Sequence, residues 1–255
     1  IGAALVDTEI QVTDAELAEM NVEKGMMTLV DQARQRHMLT TLSDHLIRAN
    51  HASGGSAGNS MIATAMMGAP TYMSCKVAQD ADGDIYLADL EQSGVAHGLT
   101  ERSTDGVTGK CIVLITPDAE RSLNTHLGIS ETLSTDEVDE AAIKGSEWIY
   151  LEGYLVTSPS GHAAALKTKA LAESHGVKTA VSFSDPGMVK FFRDNMAAMV
   201  EGGVELVFSN ESEALEWGQC DDLDAAIEAI KSVARRFVIT LGADGAVTWD
   251  GETLH

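Results

Sequence analysis

From Trp148 to the end, the chain alternates short apolar β-rich runs with helical ones, and this order constrains the fold more than any other feature of the sequence. Trp148 to Leu155 reads as a strand and Ser160 to His175 as a helix stopped by Gly176; Val177 to Ser184 reads as the next strand. Met188 to Glu201 reads as a helix, Glu205 to Ser209 as a strand, and Asp221 to Arg236 as an amphipathic helix. The last has Leu223, Ala226, Ile227, Ile230 and Ala234 on one face, acids at its start and arginines at its end, as the helix dipole favours. Strand, helix, strand, helix is the signature of a doubly wound, mostly parallel α/β sheet with helices on both faces.

The first half is less regular. Asp7 to Val12 alternates polar and apolar like an exposed strand, and Gly25 to Leu46 reads as a helix. Gly106 to Pro117 is β-rich, with Cys111, Val113 and Ile115 on one face. At 255 residues the chain is long enough for one large α/β domain. Its formal charge of -22 makes nucleic acid or an anionic membrane an unfavourable partner, because either is repelled over most of the surface. No apolar run is long enough to cross a bilayer or to act as a signal peptide, so a cytoplasmic protein is the default expectation. Cys75, Cys111 and Cys220 form no Cys-x-x-Cys pair and the eight histidines no His-x-x-x-His pair, which argues against a zinc site.

Three short motifs carry chemistry. Gly54-Gly55-Ser56-Ala57-Gly58-Asn59-Ser60 runs into the apolar stretch Met61 to Gly68. Glycines before a helix allow close backbone approach to a ligand, and the first turn offers free amide hydrogens. The plain alternative is a turn capped by Ser56. Asn210-Glu211-Ser212-Glu213 follows a strand, and its Asn-x-x-Glu spacing is also that of a capping box. Thr240-Leu241-Gly242-Ala243-Asp244-Gly245 follows another strand, and Asp244-Gly245 alone fits a hairpin turn. Gly-x-Gly-x-x-Gly is absent after the first strand and Gly-x-x-x-x-Gly-Lys-Ser/Thr is absent throughout, which argues against a Rossmann dinucleotide enzyme and a P-loop kinase.

Taken in order, these motifs resemble the ribokinase-like (PfkB) carbohydrate and nucleoside kinases, in particular their adenosine-kinase-like branch. The likeness extends through Gly2-Ala3-Ala4-Leu5-Val6-Asp7, Asp82-Gly83 ahead of Leu90 and Gly94-Val95, Thr108-Gly109-Lys110-Cys111, Arg121-Ser122-Leu123 and Tyr150-Leu151-Glu152-Gly153-Tyr154. It implies one kinase domain over residues 1-255, with a small β-sheet lid from about 7-14 and 98-128. It also implies ATP-dependent phosphorylation of a primary hydroxyl on a nucleoside or sugar, with Mg²⁺; an alternative is a non-catalytic nucleoside- or sugar-binding protein of the same fold.

By the resemblance, Asp7, Gly54, Gly55 and Asn59 hold the acceptor hydroxyls, joined by Glu152 and Tyr154. Read from the residues alone, Asp7 is first of all a strand-end cap, and Tyr154 equally a core side chain. Arg121, Asn210, Thr240, Gly242 and Gly245 are implied on the nucleotide and its phosphates, with Glu213 reaching the metal through water. A solvated charge is the ordinary fate of a residue like Arg121. Ala3 stands where adenosine-kinase-like members have Asn, which counts against purine nucleosides. The family's Gly-Ala-Gly-Asp, bearing the catalytic base, is not found up to His255, and Ile1-Gly2 reads as the end of a strand. The 255-residue chain is therefore expected to be inactive by itself. A homodimer through the lid is a further implication of the resemblance.

Overall fold

The computed structural model describes residues 1–43, 45, 50–99 and 101–255. The chain divides into two compact units, Ala3–Glu131 and Ile1–Gly2 with Thr132–His255. The expected helix end at Leu46, and Thr100 within the expected lid segment, lie outside the described residues.

In the Ala3–Glu131 unit the elements run β1 (Leu5–Gln11), α1 (Asp14–Glu19), β2 (Met27–Leu29), α2 (Gln32–Thr41), β3 (Asn50–Gly54) and α3 (Ser56–Met66). They continue through β4 (Thr71–Met73), α4 (Ala81–Gln92), β5 (Val95–His97), β6 (Gly109–Ile115) and β7 (Arg121–His126). Five strands form a mixed sheet in the order β2-β7-β6-β1-β3, and β4 pairs with β5 separately. The expected lid segments supply β1, β6 and β7 of that sheet.

Two expectations here are corrected. β1 is a central strand, parallel to β6 and antiparallel to β3, with Val6 and Ile10 buried, so its alternation reflects two different faces and not an exposed edge. Ile10, Val12, Ile112 and Leu114 pack with Leu17, Met20, Met38 and Leu42 of the helical segments, while Leu5, Cys111 and Val113 share the opposite face. The helix expected from Gly25 is instead β2, paired to β7, followed by α2 under an Asp31 cap whose side chain accepts from the Arg34 N–H at 2.7 Å. Cross-strand pairing decides the state of Met27–Leu29 where local periodicity does not.

The second unit contains α5 (Glu140–Lys144), β8 (Trp148–Leu151), α6 (Pro159–His175), β9 (Lys178–Ser182), α7 (Pro186–Phe191) and α8 (Arg193–Val200). It is completed by β10 (Val204–Asn210), α9 (Glu211–Gly218), α10 (Leu223–Lys231), β11 (Ala234–Thr240) and β12 (Ala246–Trp249). β8, β9, β10 and β11 are parallel neighbours in chain order, and β12 closes the sheet antiparallel to β11. This is the expected strand-helix alternation. α6 starts from Ser158 with Pro159 in its first turn and stops at Gly176, which adopts the left-handed conformation at φ 69°.

Several boundaries differ from the sequence reading: the helix read from Met188 to Glu201 is two helices, α7 and α8, meeting at Phe192, and the strand read from Val177 to Ser184 is β9, which ends at Ser182. α10 ends at Lys231, and Ala234, Arg235 and Arg236 begin β11. Ala234 pairs with Val204, and both arginines lie 3.7 Å from Glu205, so strand pairing takes residues that continue the helical pattern on paper. β8 stops at Leu151, leaving Glu152 at the start of a 3-10 turn, Gly153–Thr157. No helix among the described residues is long and apolar enough to cross a membrane.

Candidate functional site

Within the Ala3–Glu131 unit, Asp7 meets the glycine pair. Asp7 lies in mid-strand, paired to Cys111 on one side and Ala52 on the other, so it is not the strand-end cap that the residues alone also allowed. A Cβ on Gly54 would fall 2.1 Å from Asp7 Oδ1, so Gly54 is bare because the carboxylate occupies the space a side chain would need. Gly55 is bare for other reasons: its φ is +84°, and a Cβ would fall 2.6 Å from the Ala3 carbonyl oxygen.

Gly55, not Ser56, is the N-cap of α3, and it brings no side-chain acceptor to the first turn. The N-caps of α1, α2, α4, α6, α9 and α10 all accept from their first turn through a side chain. Asn59 has its backbone N–H on the Gly55 carbonyl at 3.0 Å and is exposed. Burial pushes the Asp7 carboxyl up to about 6; the Arg121 guanidinium draws it down and the Glu9 charge raises it. Arg121 itself is exposed and donates to Glu9 Oε1 at 2.8 Å. The neighbouring Cys111 thiol is pushed up to about 12, chiefly by burial, and accepts from the Thr125 hydroxyl at 3.3 Å.

In the other unit the remaining candidates lie at the carboxyl ends of the parallel strands, where sheets of this kind bind ligands. Asn210 and Thr240 are register partners at the ends of β10 and β11. The Asn210–Glu213 capping box is formed: the Glu213 N–H donates to Asn210 Oδ1 at 2.8 Å, and the Asn210 N–H and side-chain amide donate to the Glu213 carboxylate at 3.0 and 2.8 Å. Burial pushes Glu213 up to about 7, with the Asn210 N–H drawing it down and the Asp185 charge raising it.

Gly242 and Gly245 belong to the turn of the β11–β12 hairpin, closed by the Leu241 N–H on the Gly245 carbonyl at 2.8 Å. Both have positive φ and open space where a Cβ would sit. Glu152 is buried just beyond β8. Tyr154 is half-buried and its hydroxyl donates to the Ser184 carbonyl at 3.3 Å, which ties it to the end of β9.

The sequence reading passed over Ser184 and Asp185. Ser184 holds φ +68°, rare for a residue with a side chain, and its hydroxyl accepts from the Gly153 N–H at 2.9 Å. Asp185 caps α7 by accepting from the Gly187 N–H at 2.7 Å and bears on Glu213 through its charge. Asp185-Pro186-Gly187 after a strand is a legible start signal, a capping acid with proline in the first turn.

Magnesium can be tested against this geometry. Glu213 is a buried carboxylate raised by burial and by a second acid, and no lysine or arginine among the described residues lies within ion-pair distance of it. A hydrated dication would supply positive charge beside this carboxylate. No group of three or more His, Cys, Asp or Glu side chains fit to ligate a metal directly occurs among the described residues.

The doubly wound sheet of parallel strands is the architecture shared with known kinases. The chain belongs to the pfkB family of carbohydrate kinases, whose family pattern matches residues 25–255. It is 27% identical over 247 residues to an adenosine kinase of Saccharomyces cerevisiae, covering 93% of this chain and 70% of that protein. It is 26% identical over 198 residues to a ribokinase of Mus musculus, covering 76% of this chain and 59% of that protein, less than two thirds of its length. The crystal structure of an adenosine kinase from Sinorhizobium meliloti superposes with a TM-score of 0.92 at 31% identity, over 100% of this chain and 77% of that one. The fold is the ribokinase-like α/β fold.

Proposed function

We propose that the chain serves ATP-dependent phosphorylation of a primary hydroxyl on a nucleoside or pentose, as in the adenosine kinases and ribokinase it resembles. The observation that carries this reading is the half-buried Asp7 carboxylate against side-chain-free Gly54, followed at once by α3, whose N-cap Gly55 has no side-chain cap bond. A carboxylate accepts two hydroxyl hydrogens, and an open helix terminus offers amides to the same polyol. Basic residues for a second phosphate on the acceptor are few, since the chain has 17 lysines and arginines against 39 acids.

On this reading Asn59, Glu152 and Tyr154 complete acceptor recognition, while Arg121, Asn210, Thr240, Gly242 and Gly245 serve the nucleotide. Asn210 and Glu213 would hold the hydration shell of a magnesium ion, which when bound neutralises charge on the phosphates. The reaction forms a bond from the acceptor oxygen to the γ-phosphorus and releases ADP; the acceptor proton goes to a general base. Asp7 is committed to hydroxyls and Glu213 to the metal shell, so neither is free for that part. Base assistance is worth roughly 10²- to 10⁴-fold.

Calorimetric titration of the chain with adenosine, guanosine, ribose and fructose phosphates tests the assignment. Binding of a nucleoside or ribose is expected, and binding confined to the phosphorylated sugars would overturn it.

A further inference from the structure

The glycine loop between Asp7 and α3 is gripped from outside by an element that carries none of the candidate ligand contacts. Among the described residues β3 is the edge strand of its sheet and pairs only with β1, so on its far side its last residues meet side chains and no further strand. The Ser53 N–H, one residue before the glycine pair, donates to Asp89 Oδ2 of α4 at 2.8 Å. On the other side of the pair, α3 presents Gly58 to α4, where an added Cβ would fall 2.6 Å from the hydroxyl oxygen of fully buried Tyr86. Tyr86 and Asp89 are three residues apart and share one face of α4.

α4 is itself anchored at its start. The Asp80 carboxylate accepts from the Gly83 N–H at 2.8 Å and from the Thr108 N–H and hydroxyl at 2.8 and 2.6 Å, and Asp82 pairs with Lys110 at 2.5 Å. A Cβ on Gly83 would fall 2.3 Å from the Ala78 carbonyl, so the first turn of the helix packs directly on that backbone. α4 is thus fixed to the base of β6 at one end and touches the loop on both flanks of the glycine pair at the other. These contacts are independent of any ligand.

We propose that Asp89 is a positioning residue for the acceptor loop: its carboxylate, held by α4, keeps Ser53-Gly54-Gly55 against Asp7. Gly54 lies so close to the Asp7 carboxylate that any drift of the Ser53 backbone changes the space in which the acceptor hydroxyls would lie. A charge-assisted bond to a backbone N–H at an open sheet edge is suited to that task, because no neighbouring strand can replace it. The proposal rests on the reading of Asp7 and the glycine pair as the acceptor site.

Two measurements on the full chain separate the two levels. The first needs no ligand: amide hydrogen exchange at Ser53 to Asn59 in the parent chain and in Asp89→Ala, Asp89→Asn and Asp222→Ala. Asp222 caps α10 through the Ala225 N–H and serves as a control of similar type far along the chain. Exchange at Ser53 to Asn59 should quicken at least tenfold in Asp89→Ala, recover most of the way in Asp89→Asn, which keeps an acceptor oxygen, and stay unchanged in Asp222→Ala. The second is calorimetric titration with adenosine and ribose. There Asp89→Ala should raise the dissociation constant about tenfold or more, while Asp222→Ala lowers thermal stability and leaves affinity alone.

Unchanged exchange in Asp89→Ala overturns the proposal whatever the titrations give. So does faster exchange with affinity equal to the parent's. A parent chain that binds neither acceptor overturns the acceptor-site reading, while the exchange pattern still judges the role of Asp89 in holding the loop. If Asp89→Ala does not fold, Asp89→Glu, which moves the carboxylate by one methylene, carries both measurements with the same expected directions.

Discussion

Asp7 and Glu213 are two carboxylates, the first half-buried and the second buried, one in each unit, both held above their ordinary range, and they are built in opposite ways. Glu213 is a local construction. Its partner is Asn210, three residues back, and the pair satisfies one helix terminus within itself. Asp7 is assembled from afar: β6 flanks it on one side, β3 on the other, and the glycine that makes room for it belongs to β3. A locally built acid tolerates changes elsewhere in its sheet, whereas one built from three strands is only as well placed as each of them.

The glycines give the largest expected contrast. Gly55→Ala forces a Cβ to 2.6 Å from the backbone carbonyl of Ala3 at a φ of +84°. Overpacking and left-handed strain together should cost roughly 2–5 kcal/mol of stability. Gly242→Ala meets open space and bears the conformational cost alone, roughly 1–2 kcal/mol. Urea unfolding of both variants checks this, and equal losses would mean that the loop before α3 is no tighter than the hairpin.

Asp7→Asn comes next. Loss of a hydrogen bond to a charged group should weaken acceptor binding by roughly 1.5–3 kcal/mol. Stability should move the other way. The folded state holds the Asp7 proton up to about pH 6 whereas the ordinary value is 3.8, so ionisation between those limits costs the fold stability. At about 1.4 kcal/mol per unit that cost is roughly 2–3 kcal/mol, complete above pH 6 and absent below the ordinary value. Asp7→Asn should therefore match the parent at pH 3.5 and exceed it at pH 8, by denaturant unfolding at each pH. Lower stability at pH 8 with unchanged affinity would reject the substrate role.

That contrast also explains what was legible in the sequence. Asn210–Glu213 and the Gly176 stop are written in neighbouring residues, and the structure forms both as read. The Asp7–Gly54 contact has no local signature, because each residue type fits many roles until strand pairing joins them. The same physics moved the boundaries: Met27–Leu29 and Ala234–Arg236 follow helical spacing on paper but are taken by β7 and β10. Ser184 and Asp185 were missed although their proline signal was present, because nothing local shows that the strand end bends through φ +68° toward Glu213.

Glu213→Gln sharpens the comparison from the other unit. Glutamine keeps the capping box, so helix α9 should stay intact, while the charge facing the metal shell is lost. Supporting groups of this kind typically change metal affinity by about 10- to 100-fold, and the magnesium dependence of ATP binding should shift by that order. Acceptor affinity should not change. A fall in adenosine or ribose binding of the same size would show that the two acids act as one site element and not as two.

The smallest expected effect is at Arg121. It is exposed, and its ion pair with Glu9 at 2.8 Å is a surface pair of the sort worth roughly 0–1 kcal/mol. Arg121→Gln should change unfolding free energy by less than about 0.5 kcal/mol. It should nevertheless leave a trace on Asp7, since the guanidinium draws that carboxyl down. The pH at which the loss of stability is complete should move further up in the variant while its onset stays at the ordinary carboxylate value, and Arg121→Lys should restore it. If instead Arg121→Gln weakens ATP binding with no movement of that pH profile, Arg121 serves the phosphates directly and its pairing with Glu9 is incidental to Asp7.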